Sequence, residues 1–401
     1  NRTLAGDILV RNTLTLGPAS MLMGASWRMD LQGGVPVEQL GGMFDAGTST
    51  VAYSGAVDQA VAALTYYNLQ LSTGGVMLPA AALKTASGDI KAYGSVTVDT
   101  LAQFAMGSQL LEVAGDVLQR GNESGSAANQ AGHMTWGVGG TLSFFGTGNS
   151  AFFGNHTLST PDVVNLQISK TGVEDTVRFV STAAGTPRIL LGPSATISVL
   201  SGVLDYGEAN VTATQAISSS FSVASLAVVR ASGQSNFPVD GSGSTYGFAS
   251  VTLQSGSSVE LYGGNQDVPG SDHGITGYAI LKLLGEGTKT MTDDFSVADS
   301  LILTSPVTFD DNGAALLYGV ASVLRYDMAG DSIPARQTTQ STGDELPAAS
   351  SPRLVVLDNP KDVQLTASRS IAGGVDFLRG KMILGANTLT LGSSAYITGY
   401  D

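Results

Sequence analysis

Short runs of alternating apolar and polar residues, each closed by a glycine, recur along the whole sequence. Residues 14–17, 69–74, 251–256 and 389–392 are examples. A period of two places successive side chains on opposite faces of a strand, and glycine allows the chain to turn without steric cost. The pattern predicts an all-β protein of many strands about four to six residues long. Such a chain folds as a sandwich array, a propeller or a solenoid.

The composition excludes several other classes of protein. Hydrophobic residues make up 43% of the 401 residues and charged residues 13%, a balance opposite to that of a disordered chain. The absence of cysteine excludes a disulfide framework. A net charge of -14 argues against a nucleic-acid surface, and no apolar run of about 20 residues predicts a membrane span. This acidic, weakly charged composition favours an extracellular protein.

Four stretches of the sequence share one order of short motifs. These degenerate repeats cover approximately residues 27–123, 124–206, 244–326 and 352–401. The amino-acid sequence of residues 12–17 also recurs at residues 387–392. Internal similarity in a chain of short strands favours a solenoid over a sandwich or a propeller. The proline-containing polar stretch 327–351 is expected to leave the repeat as an excursion.

Four phrases of the sequence resemble those of the β-strand-repeat surface proteins of Bacteroidota. The matching phrases are residues 49–55, 67–71, 287–290 and 380–392. Proteins of this family are similar to parallel β-helices at the cell surface, and many are exported by the type IX secretion route. The resemblance therefore implies a β-solenoid fold and an extracellular location.

One continuous parallel β-solenoid over residues 1–401, right-handed and with loop excursions, accounts for these patterns. Successive coils lie about 4.8 Å apart, so inward aliphatic side chains stack and outward positions take Thr, Ser, Gln or Asn. Like charges stacked at that spacing would repel, which explains the low charged fraction. An unpaired end strand pairs readily with another strand. The expected partners are copies of the same chain, joined end to end or by strand exchange, with surface glycans as a second class.

Asp310, Asp311 and Asn312 are the candidate metal site. Ca²⁺ prefers carboxylate and carbonyl oxygens as ligands, and these residues offer them next to Gly313. The same composition is typical of an ordinary turn, so both interpretations stay open. Apart from this Ca²⁺ candidate, no cofactor is expected.

Triplets of Asp, then Ser or Thr, then an aliphatic residue form a second candidate. Their acceptor hydroxyls belong to Thr100, Thr176, Ser300 and Ser332. Because Bacteroidota attach O-glycans at similar triplets, the resemblance implies O-glycosylation at these positions. Composition alone also yields a few such triplets.

No catalytic arrangement stands out in the sequence. His133, His156 and His273 show no metal-type spacing and are expected in exposed turns, and no nucleophile elbow is present. We therefore predict a protein that is not an enzyme. It is expected to be an extracellular structural solenoid, a surface-filament subunit or the stalk of an adhesin, assembling through its open ends. The alternative is a carbohydrate-binding or polysaccharide-cleaving β-helix, which would present clustered aromatic and carboxylate side chains.

Overall fold

The computed structural model is all-β. It describes residues 2–18, 20–75, 81–121, 132–153, 163–180, 188–213, 219–238, 248–304, 307–327 and 339–399. Strands account for 53% of the chain, and parallel stacked strands form a β-solenoid of about 14 turns. The fold class predicted from the alternating pattern is confirmed, whereas the handedness stays a prediction. Within the described residues, no helix has the length and apolar character needed to cross a membrane.

The chain divides into two compact units. Unit 1 comprises Asn1–Asp205 and Ala209–Ser220, and unit 2 comprises Tyr206–Glu208 and Phe221–Asp401. The four repeat ranges drawn from the sequence stay predictions. Residues 328–338 of the expected excursion lie outside the described part of the chain, while Gln340–Ser341 forms a short strand.

Unit 1 is built from short parallel strands. Its described strands are β1 (Arg2–Thr3), β2 (Ile8–Val10), β3 (Leu14–Leu16), β4 (Met21–Met23), β5 (Arg28–Leu31), β6 (Val37–Gln39), β7 (Met43–Asp45), β8 (Thr50–Tyr53), β9 (Gln59–Val61), β10 (Thr65–Tyr66), β11 (Asn68–Leu71), β12 (Ala82–Ala86), β13 (Ile90–Ala92), β14 (Val96–Val98), β15 (Ala102–Gly107), β16 (Leu110–Val113), β17 (Val117–Gln119), β18 (His133–Trp136), β19 (Thr141–Gly146), β20 (Ser150–Phe153), β21 (Val163–Lys170), β22 (Thr176–Val180), β23 (Arg188–Ser201), β24 (Val203–Asp205) and β25 (Asn210–Ala213).

Unit 2 has the same construction, and its first strand begins at the last residue of unit 1. Its described strands are β26 (Ser220–Val223), β27 (Val228–Ala231), β28 (Ser250–Leu253), β29 (Ser258–Leu261), β30 (Gln266–Val268), β31 (Gly277–Leu283), β32 (Gly287–Met291), β33 (Phe295–Leu303), β34 (Val307–Asp310), β35 (Leu316–Tyr318), β36 (Val323–Tyr326), β37 (Gln340–Ser341), β38 (Leu354–Asp358), β39 (Val363–Gln364), β40 (Arg369–Ile371), β41 (Gly374–Arg379), β42 (Met382–Ile383), β43 (Leu389–Leu391) and β44 (Tyr396–Thr398). A single 3₁₀ turn among the described residues spans Ser271–His273.

Among the described residues, the three largest sheets of unit 1 are parallel, and two shorter ones join β1, β4 and β7 and pair β3 with β6. Sheet I follows β2, β5, β8, β11, β14, β17, β20, β22 and β24. Sheet II follows β9, β12, β15 and β18, and sheet III follows β10, β13, β16, β19, β21 and β23. In unit 2, sheet I follows β27, β29, β31, β33, β36, β38, β41 and β44, and sheet II follows β30, β32 and β34.

Inward side chains of successive coils form continuous apolar columns. In sheet III of unit 1, one column joins Tyr66, Ala92, Val113, Phe144 and Ile168, all fully buried. Burial of a large aliphatic or aromatic side chain stabilises a fold by about 1.5–3 kcal/mol. The intervening residues point outward, as the alternating sequence pattern predicts.

The two units repeat one hydrogen-bonded pattern at a distance of 205 residues. Lys84 lies beside Phe104 in sheet II of unit 1, and Lys289 lies beside Phe309 in sheet II of unit 2. Asp89 accepts a bond from the next coil, Leu110 N–H to Oδ1 at 2.8 Å. The corresponding bond in unit 2 joins residues 315 and 294 at 2.6 Å. These strand partners and side-chain bonds therefore recur at the same spacing in two stretches of the chain.

Candidate functional site

Three carboxylates converge at one end of strand β34. Asp310, Asp311 and Asp344 each bring one oxygen to within 4.8 Å of the others, and all three residues are half-buried. Asp310 is the last residue of β34, and the turn after it is closed by Ala314 N–H donating to the Asp311 carbonyl at 2.8 Å. We call these three residues the acidic turn. Their oxygens are of the type that Ca²⁺ selects.

Backbone N–H groups hold the carboxylates of the acidic turn in place. Asn312 N–H donates to Asp310 Oδ1 at 2.9 Å, and Gly313 N–H donates to Asp311 Oδ1 at 2.8 Å. Asp311 N–H points at Asp344 Oδ2 across 3.4 Å. Asn312 and Gly313 have φ of 51° and 84°, a left-handed conformation that these residue types tolerate best. Within the described residues the second oxygen of each carboxylate accepts no hydrogen bond.

The sequence located this turn but not its full membership. Asp310 and Asp311 are in the cluster, whereas the Asn312 side chain is exposed and its backbone N–H contributes instead. Asp344 was missed because it comes from a later part of the chain, inside the stretch expected to be an excursion. Ca²⁺ binding at the acidic turn stays a prediction.

Glu345 anchors the segment that carries Asp344. Its side chain is buried, and Oε1 accepts hydrogen bonds from Tyr326 Oη at 2.6 Å and from Gly343 N–H at 2.8 Å. Tyr318 Oη donates to the Glu345 carbonyl at 2.5 Å. Burial raises the pKa of Glu345, and the bond from Tyr326 opposes that rise. The hydrogen bonds of the buried Glu345 therefore hold the adjacent Asp344 at the acidic turn.

A second polar centre is buried in sheet II of unit 1. The ammonium of Lys84 donates to the Gly55 carbonyl at 2.6 Å, to the Val57 carbonyl at 3.2 Å and to Gln59 Oε1 at 2.5 Å. Gln59 Nε2 continues the network to the carbonyls of residues 31 and 33, at 2.9 and 2.8 Å. We call this arrangement the Gln–Lys corner. It ties three successive coils together through side-chain bonds.

Unit 2 contains a second Gln–Lys corner. Lys289 donates to the carbonyls of Gly263 and Gly264, at 2.6 and 2.9 Å, and to Gln266 Oε1 at 2.5 Å. Gln266 Nε2 reaches the carbonyls of residues 231 and 233, each at 3.1 Å. Burial lowers the pKa of both Lys84 and Lys289 to about 8. Because each ammonium is surrounded by oxygen acceptors and shielded from solvent, both Gln–Lys corners have a structural role.

The predicted glycosylation sites lie in different surroundings. Thr100 is exposed in a turn, and Thr176 begins β22 with its hydroxyl donating to the Glu174 carbonyl at 3.1 Å. Ser300 is half-buried within β33. Ser332 lies outside the described residues. O-glycosylation at these positions stays a prediction.

Two of the three histidines lie in the described part of the chain. The expectation of an exposed His133 is wrong, because this residue is buried in β18 and its ring occupies the space beside Gly121. His273 is in the 3₁₀ turn, with Nε2 at 3.5 Å from Asp272 Oδ2. His156 falls outside the described residues.

Comparison of the chain with protein-family models, curated proteins and solved structures finds no match. The resemblance to Bacteroidota surface proteins therefore stays a prediction that depends on the four short motifs at residues 49–55, 67–71, 287–290 and 380–392.

Proposed function

We propose that this protein is an extracellular structural β-solenoid, a surface-filament subunit or the stalk of an adhesin, whose coils stack on further parallel strands. The observation that supports the proposal is an apolar column in sheet I of unit 2. The column joins residues Val259, Leu281, Leu301, Leu324, Val355, Val375 and Ile397. All except Ile397 are buried, and Ile397 is 45% exposed.

Strand β44, which carries Ile397, presents a surface suited to another strand. It pairs with β41 through Ile397 opposite Val375, and no other described strand pairs with it. Tyr396, next to Ile397, is also half-exposed. An unpaired strand edge is a template for pairing, and covering the exposed part of Ile397 would contribute about 0.7–1.4 kcal/mol. A second copy supplies the covering strand in a filament, and further chain supplies it in a stalk.

Self-association of the 401-residue chain tests the filament form of this proposal. Light scattering across a concentration series and electron microscopy should show end-to-end assemblies. Ile397→Lys should reduce the assembled mass, because a charge at the strand edge opposes pairing. Leu317→Lys is the matched control, since Leu317 is 53% exposed on β35 and lies elsewhere in unit 2. A monomer at every concentration, or equal effects of the two variants, contradicts the filament form.

The stalk form has a separate test. Antibodies raised against the chain should label the surface of intact source cells, since a stalk must extend from the cell. Labelling only after the cells are opened contradicts an extracellular role. The proposal assigns no reaction to the chain.

A further inference from the structure

A group of aromatic and charged side chains lies on the outward face of sheet III in unit 1. Tyr93 is 54% exposed, and its ring centroid is 5.6 Å from that of Phe145, with an interplanar angle of 72°. Lys91 Nζ is 4.3 Å from the Phe145 centroid and 3.3 Å from Glu112 Oε2. The side chains of Lys91 and Glu112 are each about one-third exposed. We call these four residues the aromatic patch.

The strand pairing that recurs 205 residues later does not require the aromatic patch. The strand pair that places Lys91 beside Glu112 has its counterpart 205 residues later, where Ser296 lies beside Leu317. The counterpart of Tyr93 is the exposed residue Ala298. Unit 2 keeps the same strand register without the aromatic ring or the ion pair. At these positions the ion pair and the Tyr93 ring are therefore specific to unit 1.

The chemistry of the patch suits a neutral sugar. The apolar C–H face of a pyranose ring packs on an exposed aromatic ring, and its hydroxyls bond to flanking donors and acceptors. Lys91 supplies N–H donors and Glu112 supplies carboxylate acceptors. Their charges cancel, so the patch itself offers no net attraction to a charged ligand. The net charge of -14 on the whole chain repels polyanionic glycans.

Polar outward positions extend the patch along the coils of unit 1. Register partners carry the row from Glu112 to Ser143, which is buried, and then to Gln167 and Ser198, which are half-buried. Adjacent coils lie about 4.8 Å apart. One sugar residue of an extended β-1,4-linked chain has a similar length, so hydroxyls of sugars beyond the patch can meet Gln167 and Ser198 on later coils. We propose that the aromatic patch binds a neutral, extended β-1,4-linked glycan, with one ring against Tyr93 and Phe145.

Calorimetric titration of the full chain with cellohexaose tests this proposal. Binding is expected for the unmodified chain, and Tyr93→Ala should weaken it at least about fivefold, because the aromatic contact is lost. Lys91→Ser should weaken it as well. Both variants adopt residue types found at the equivalent positions of unit 2, so circular dichroism should show unchanged folding. Leu317→Ala, on the corresponding surface of unit 2, should bind as the unmodified chain does.

Several results would overturn the proposal. One is no heat of binding at millimolar cellohexaose, and another is binding that both unit 1 variants leave intact. Tighter binding of polygalacturonate would show a preference for polyanions, and tighter binding of maltohexaose would show that an extended chain is not selected. Self-association is not needed for any of these measurements, so the glycan proposal and the structural proposal fail independently.

Discussion

Sheet II of unit 1 and sheet II of unit 2 share a buried Gln–Lys corner but differ in the residues that follow the phenylalanine stacked on it. After Phe104, strand β15 of unit 1 continues with the half-buried Ala105 and the buried Met106, whereas β34 of unit 2 ends one residue after Phe309, at Asp310, and Asp311 follows it. The stack of Gln, Lys and Phe is the same in both. The buried stack that holds the coils is common to both units, whereas the strand after it continues in unit 1 and ends at the acidic turn in unit 2.

The largest expected effect comes from breaking either corner. Gln59→Ala in unit 1 and Gln266→Ala in unit 2 should each lower the free energy of unfolding by about 2–4 kcal/mol, because a buried ammonium loses one hydrogen-bond acceptor and a cavity forms. Urea unfolding measures both. Gln364→Ala, at an exposed position of β39, is the control and should stay within about 0.5 kcal/mol. A loss below about 1 kcal/mol in one unit would show that the corners are not equivalent.

The second largest effect should be the pH dependence of the free energy of unfolding that arises from the lysines of the two corners. Burial lowers the pKa of Lys84 and Lys289 from 10.5 to about 8, so between these values the unfolded chain binds more protons than the folded chain. The free energy of unfolding should therefore rise with pH in that window, by no more than about 1.4 kcal/mol per pH unit for each lysine. The difference between the unmodified chain and Lys84→Met isolates this term. A difference that stays flat from pH 7 to 10.5 contradicts it.

Calcium binding would distinguish the acidic turn of unit 2 from the continuing strand of unit 1. If the acidic turn binds Ca²⁺, adding Ca²⁺ at ten times its Kd should raise the free energy of unfolding by about 1.4 kcal/mol. Asp344→Asn should remove the response, whereas Glu38→Gln, an exposed acid in unit 1, should leave it unchanged. When a chelator removes free Ca²⁺, Asp344→Asn should not destabilise the chain, because the substitution relieves repulsion between carboxylates. An unmodified chain that does not respond to Ca²⁺ contradicts the calcium interpretation.

The smallest effect is expected from transferring an outward residue between the units. Ala298→Tyr places in unit 2 the residue that unit 1 has at position 93. Because Ala298 is exposed, the change in unfolding free energy should lie within about 0.5 kcal/mol. Thermal unfolding measures the change. A loss above about 2 kcal/mol would mean that the outward surface of unit 2 is constrained by packing.

The sequence predicted the fold because its inward positions are chemically uniform. Leu69 and Leu71 alternate with outward polar residues, and the structure buries both. Lys84 was missed because lysine is rarely fully buried, and its partner Gln59 lies a coil earlier. A usable signal existed in the recurrence of Lys-Thr at 84–85 and 289–290, each followed by a phenylalanine 20 positions after the lysine. Asp344 gave no such signal, because its approach to β34 depends on how a later segment folds back.

The enclosure of Lys84 and Lys289 has a practical consequence for anyone who handles the protein. Amine-reactive reagents reach a lysine only when its Nζ meets solvent, so these two amines should stay unlabelled while their coils are closed. Trypsin must likewise wait for the local backbone to open before it cuts after them. Mass spectrometry of labelled peptides can therefore report which unit loosens first, with no engineered probe.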